Sequence, residues 1–205
     1  MARSPDPHDF LGLDALLTAE ENNTPLNNWA IQGQYAPGST MKVVTSLALI
    51  RAGLAPDSPM ACPGTTTVDG KQFKNYSDYP GSALGEITLA EAVAQSCNTA
   101  FVSERDRVKP AELTEAAAAL GLGADHDIGF PAYFGSVPTA ESETEHAAAL
   151  IGQGRVLASP LAMAAVAGSV AAGRSVVPRL LVDTEVSASP ATPLSADEAE
   201  QLRQL

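Results

Sequence analysis

Ser39 and Lys42, in the stretch QYAPGSTMKVVTSLALI from residue 34 to residue 50, are a hydroxyl and an amine three positions apart. Lys42 is the only charged side chain between Glu21 and Arg51, and most of its neighbours in the run are apolar. On a helix that spacing puts both groups on one face, one turn apart. A serine hydroxyl is a weak nucleophile until a base within hydrogen-bond reach takes its proton. An amine becomes such a base when desolvation disfavours its ammonium form. Met41, Val43, Val44 and Leu47 supply apolar surroundings of that kind. A helix start near Ser39 would also aim backbone N–H groups at a developing oxyanion. The spacing alone fits equally a lysine that snorkels from a buried helix. Chance supplies about 0.3 such pairs in a chain of this composition.

The remaining chemistry-bearing side chains exclude more than they propose. The two cysteines, Cys62 and Cys97, form no CxxC pair, and His8, His126 and His146 lie far from both. A zinc site needs clustered ligands, so no metal and no other cofactor is expected. Asp125, His126 and Asp127 in ADHDIGF are adjacent residues whose side chains diverge, and the stretch reads as a plain surface loop. The two cysteines fit either buried thiols or one disulfide, the latter only outside the cytosol. A net charge of −12 argues against a nucleic-acid partner, because such proteins present a basic face to phosphate.

The elements that must position these groups can be read from period and punctuation. With 45% hydrophobic and 18% charged residues in 205, the chain has enough apolar surface for one folded domain. An amphipathic piece, DFLGLDALLTAEE, precedes an Asn-rich loop. Pro37-Gly38 then breaks the chain, and Ser39 or Thr40 opens a helix to about Ala52, closed by Gly53. Asp69-Gly70 inside an alternating stretch predicts a small hairpin. Thr88 with Glu91, and Ser195 with Glu198, are capping-box pairs that open helices. Further helices are expected near 111–120, 141–151 and 160–172, with a strand-like SVVPRLLVD after the last. Residues 156–173 carry no charge over 18 positions. Ser159-Pro160 and Gly173 bracket a buried helix there better than a bilayer span. The fold expected from these elements is mainly α with minor β. No repeat or linker divides the chain, and EAEQLRQL keeps helical period up to Leu205 without a cap.

YAPGSTMK closely resembles the active-site serine segment of the penicillin-binding proteins, the D,D-transpeptidases that cross-link peptidoglycan. NWAIQGQ resembles the usual approach to that serine, and LAEAVAQSCNTAFV resembles the Ser-x-Asn motif, carried here by Ser96 and Asn98. Gly152-Gln153-Gly154 and Ser159-Pro160-Leu161 follow in the family's order, so the likeness covers residues 28–182. The resemblance implies that Ser39 is acylated by the penultimate D-Ala carbonyl of a stem peptide, with Lys42 taking the serine proton. It implies that Ser96 relays a proton to the leaving amine, and that Asn98 holds Lys42 and binds the donor amide of the substrate. Set against this, Ser and Asn are also common helix-end caps. The implied partners are the D-Ala-D-Ala stem peptide, β-lactam antibiotics, and proteins of cell division or elongation. The implied place of work is the outer face of the bacterial membrane, with the anchor in a parent protein. In that setting a Cys62–Cys97 disulfide would staple the loop before the Ser-x-Asn helix.

The family's third motif, Lys-Thr-Gly, does not occur: neither Lys42, Lys71, Lys74 nor Lys109 precedes Thr-Gly or Ser-Gly. MARSPDP resembles a segment that follows the family's first two strands. The expectation is therefore a single incomplete domain over 1–205, the helical part of the α+β penicillin-binding transpeptidase (β-lactamase-like) fold, with the central antiparallel sheet largely missing. Little turnover and an exposed apolar face follow from that reading. The alternatives are a β-lactam sensor or serine β-lactamase relative, and a non-catalytic copy acting in cell-wall assembly.

Overall fold

The computed structural model describes residues 28–179 and 191–205. The amphipathic stretch 9–21, the MARSPDP segment and residues 180–183 of the expected strand lie outside them. A short helix α1 (Trp29–Gln32) leads to a 3-10 turn, Gly38–Met41, that continues directly into α2 (Lys42–Arg51). The expected serine helix thus starts in a tighter first turn, with Ser39 inside it. Lys42 and the run Val44–Ile50 are all buried, as a helix apolar on every face must be.

Four short strands follow, with helices between and after them. β1 (Pro59–Cys62) leads to β2 (Thr65–Val68) and β3 (Lys71–Lys74), which pair antiparallel with Val68 opposite Lys71. Asp69 and Gly70 have φ of 46° and 79°, the double left-handed turn that the Asp-Gly dipeptide favours. β4 (Gly85–Thr88) pairs antiparallel with β1, Cys62 opposite Gly85. Among the described residues the strands form only these two pairs, so the fold is helix-rich with minor β.

The Thr88–Glu91 capping box opens α3 (Leu89–Ala94), and α4 (Asn98–Ser103) follows after one sharp turn. Next come α5 (Pro110–Ala119), α6 (Glu143–Ala149) and α7 (Pro160–Ala172), the last capped by Ser159 and ended by Gly173 at φ 66°. The Ser195–Glu198 box opens α8, which runs Ala196–Arg203 with Gln204 as its C-cap. No helix among the described residues is long and apolar enough to cross a membrane. Ser175–Arg179 are not in a strand. Val176 N–H donates instead to the Ser169 hydroxyl on α7, at 2.9 Å, and Pro178 has no N–H to give a ladder.

One apolar core joins these helices. α2 packs against α5, α8 and α3, while α4 lies over β1, β2 and β3. The N-terminal end of α2 therefore meets the turn between α3 and α4.

Candidate active site

Two glycines let the chain pass close beneath Ser39. Gly38 N–H donates to the Gly152 carbonyl at 2.9 Å. A Cβ on Gly152 would stand 2.2 Å from the Gly38 oxygen and 2.7 Å from Met41 Cβ. Its φ of 68° also favours glycine. Tyr35 and Ala158 exchange backbone hydrogen bonds of 3.0 and 2.8 Å. Gly152, of the Gly-Gln-Gly stretch, and Ala158, just before Ser159-Pro160-Leu161, thus hold the approach to the serine through backbone contacts.

Lys42 is only 2% exposed, so it does not snorkel. Its Nζ donates to the Ser96 carbonyl at 2.7 Å and to Asn98 Oδ1 at 2.7 Å. It also lies 2.8 Å from Ser96 Oγ and 3.3 Å from Ser39 Oγ. The two hydroxyls are 2.9 Å apart. All four residues singled out in the sequence meet at one point. Burial lowers the Lys42 pKa from 10.5 to about 8. At neutral pH roughly a tenth of the amine is then unprotonated, against about 0.03% for a free lysine.

A neutral lysine has two N–H donors and one lone pair, whereas carbonyl oxygens only accept. The Ser96 carbonyl and Asn98 Oδ1 can take both donors. The lone pair is then left for the hydroxyls, of which Ser39 is exposed. The same cage holds the ammonium, whose third N–H goes to a hydroxyl oxygen. Such a site can take a proton from Ser39 and return it without rearranging heavy atoms.

Ser96 closes the C-terminal end of α3 with its backbone, but neither its side chain nor that of Asn98 is spent as a helix cap. The N-cap of α4 is Cys97. Ser96 sits at φ 55°, left-handed for a residue with a Cβ. Its N–H donates to Val93 O and that of Cys97 to Ala92 O, at 3.0 and 2.9 Å, the paired bonds of a Schellman helix end. That turn aims both the carbonyl and the hydroxyl of Ser96 at Lys42. Asn98 Nδ2 donates to the Lys74 carbonyl at 3.2 Å, which fixes the amide with Oδ1 towards the amine. Cys62 and Cys97 form a disulfide across 35 positions, next to the site.

Three participants were not legible in the sequence. The Ser96 and Lys74 carbonyls belong to the backbone, which carries no residue-type signal. The Phe101 ring, whose centroid lies 5.6 Å from Nζ, is one apolar residue among many. Of the histidines, two are described: His146 Nε2–H donates to Val108 O at 2.6 Å, and His126 stacks edge-on against Phe134 at 4.9 Å. His126 is buried where a plain surface loop was expected, while Asp125 and Asp127 face outwards. Among the described residues no three His, Cys, Asp or Glu side chains cluster as metal ligands would.

A sequence profile of the penicillin binding protein transpeptidase domain matches residues 1–205. The peptidoglycan D,D-transpeptidase PbpA of Mycolicibacterium smegmatis is 37% identical over 161 residues, covering 74% of this chain and 32% of that protein. PbpA of Mycobacterium tuberculosis is 35% identical over 159 residues, 73% of this chain and 31% of the relative. The ceftriaxone acyl-enzyme structure of penicillin-binding protein A from M. tuberculosis superposes with a TM-score of 0.82 at 28% identity. It covers 97% of this chain and 47% of the solved one. The chain thus spans about a third of these curated relatives and about half of that structure.

Proposed function

The chain belongs to the family of penicillin-binding protein transpeptidase domains, and we propose that its four-residue cluster is the acyl-transfer site of a peptidoglycan D,D-transpeptidase. The observation that carries this reading is the buried Lys42 amine within reach of both the Ser39 and Ser96 hydroxyls.

Ser39 Oγ adds to the carbonyl carbon of the penultimate D-Ala, and its proton passes to neutral Lys42 Nζ. The tetrahedral adduct collapses by breaking the C–N bond. Ser96 passes its proton to the departing amine, which leaves as D-alanine, and takes in its place the proton held on Lys42 Nζ, 2.8 Å away, so that the lysine is neutral again. The amine of a second stem peptide then attacks the Ser39 ester, loses a proton to the lysine, and displaces the serine, which is reprotonated. A β-lactam would acylate Ser39 by the same first step, with its leaving amine tethered in the opened ring. Asn98 would bind the donor peptide through the second hydrogen of Nδ2, the first being held by Lys74.

The disulfide supports work in an oxidising compartment, on the outer side of the membrane. The absence of Lys-Thr-Gly from this sequence favours slow acylation by the chain alone, since nothing in it matches the carboxylate-binding motif. The same absence favours, as the second reading, a non-catalytic role.

Intact-mass spectrometry after incubation with benzylpenicillin tests the proposal, on the chain and on Ser39→Ala. An adduct of one penicillin mass on the chain, absent from the variant, is expected. An adduct on both would remove Ser39 from its role. None on either would favour the non-catalytic reading.

A further inference from the structure

The β2–β3 hairpin meets the Ser96–Asn98 turn at both of its ends. Before β2, Cys62 is bonded to Cys97, and the Pro63 carbonyl accepts from Thr99 Oγ1 at 2.6 Å. After β3, the Lys74 carbonyl accepts from Asn98 Nδ2 at 3.2 Å, and Asn75 Oδ1 accepts from Thr99 N–H at 3.1 Å. Three consecutive residues behind Ser96 are thus each tied to a separate point of the 62–75 segment. Asn75 is 8% exposed. Its Nδ2 lies 3.7 Å from Cys62 Sγ, so its amide spans the two ends of the hairpin.

The turn needs such ties. A left-handed conformation is unfavourable for a residue with a Cβ, and it persists where surrounding structure over-determines it. Thr99 is the second residue of α4, so its N–H has no acceptor within the helix. Asn75 supplies that acceptor, and with it a fixed distance from the hairpin to Asn98.

We propose that Asn75 is a positioning residue for the acyl-transfer site: together with the Cys62–Cys97 bridge, it makes the hairpin a clamp that holds Ser96 and Asn98 against Lys42. This rests on the transpeptidase reading for its consequence in acylation, but the clamp itself can be measured without turnover. With Asn75 shortened, the turn withdraws, water reaches Nζ, and the amine regains its solvated character.

The test uses the oxidised full chain labelled with 13Cε-lysine. Its four lysines give four resonances, and Lys42 is assigned from a Lys42→Met sample. In Asn75→Ala the Lys42 titration is expected to move up by about one pH unit or more. Benzylpenicillin adduct formation is expected to slow at least about tenfold. Val68→Ala, which removes a buried hairpin side chain outside the clamp, is expected to lower the unfolding midpoint while leaving the Lys42 titration in place. An unmoved Lys42 titration in folded Asn75→Ala would overturn the proposal, as would equal movement in both variants. If Asn75→Ala does not fold, hydrogen exchange of the Thr99 amide in the unaltered chain decides. Protection near that of the core is expected, and exchange at the rate of a free helix end would overturn the clamp. A Lys42 shift in a chain that forms no adduct would sustain the clamp and sink the transferase reading. Adducts that form at the same rate in Asn75→Ala, with the Lys42 titration unmoved, would do the reverse.

Discussion

A lysine at the start of a buried helix has two costs to meet, the loss of water and the loss of conformational freedom, and Lys42 meets the first only in part. Two carbonyl-type oxygens at 2.7 Å keep the ammonium tolerable, yet burial still brings its pKa down to about 8. The compromise gives an amine that is partly unprotonated near neutral pH, 3.3 Å from the Ser39 hydroxyl, as the proposed base needs to be. If neutral Lys42 is the reacting form, the rate of penicillin acylation should fall about tenfold per unit below pH 8 and level off above it. A rate flat from pH 6 would exclude Lys42 as the base, and one that keeps rising towards pH 10 would show that its pKa is not lowered. Lys42→Arg, which keeps charge but cannot release a proton, should lose at least about a hundredfold at every pH. Linkage has a definite sign here. From about pH 8 to 10.5 the unfolded lysine holds a proton that the folded one has released, so stability rises with pH across that window.

At the scale of elements, the site is a junction between the first turn of α2 and the C-terminal end of α3. Glycine is the usual residue at the left-handed position of a Schellman end, and Ser96 occupies it at φ 55°. The strain and the hydroxyl can be separated by comparing Ser96→Ala with Ser96→Gly. Both remove the oxygen that lies 2.9 Å from Ser39 Oγ, so both should slow acylation to a similar extent. Only the glycine relieves the backbone, and Ser96→Gly should be about 1 kcal/mol more stable than Ser96→Ala in urea titration. Equal stabilities would mean that the turn carries no strain. This junction also marks the limit of what the sequence discloses. Ser39 and Lys42 stand out by their spacing in an apolar run, Ser96 and Asn98 only by resemblance to a known family's motif, and the helix starts at Thr88, Ser159 and Ser195 because caps are local. Asn75, the Lys74 carbonyl and the burial of His126 depend on segments distant in sequence coming together, and no local pattern encodes that. The strand expected at 175–183 fails over its described half for the same reason: a strand needs a partner, and Val176 bonds to α7 instead.

Over the whole molecule, two surface properties oppose each other. A shallow cavity of about 290 Å³ is lined by Ile31, Ile128, Phe130, Leu161 and Pro178, with Asn28 and Arg179 beside them. Phe130 there is 45% exposed, and Trp29, on the same short helix as Ile31, is 42% exposed. Contact between two such faces would bury aromatic surface, which is favourable at roughly 25 cal/mol per Å². A net charge of −12 holds copies apart, over a Debye length of about 30 Å at 0.01 M salt but only about 3 Å at 1 M. Repulsion should therefore win in dilute buffer and burial in concentrated salt. Sedimentation velocity is expected to show a monomer at 0.01 M sodium chloride and a rising mean mass at 1 M. Phe130→Asn should hold the monomer at both. A monomer at 1 M salt in the unaltered chain would show that this apolar end is too small or too uneven to bind its own kind. Self-association unchanged in Phe130→Asn would move the adhesive surface elsewhere on the molecule.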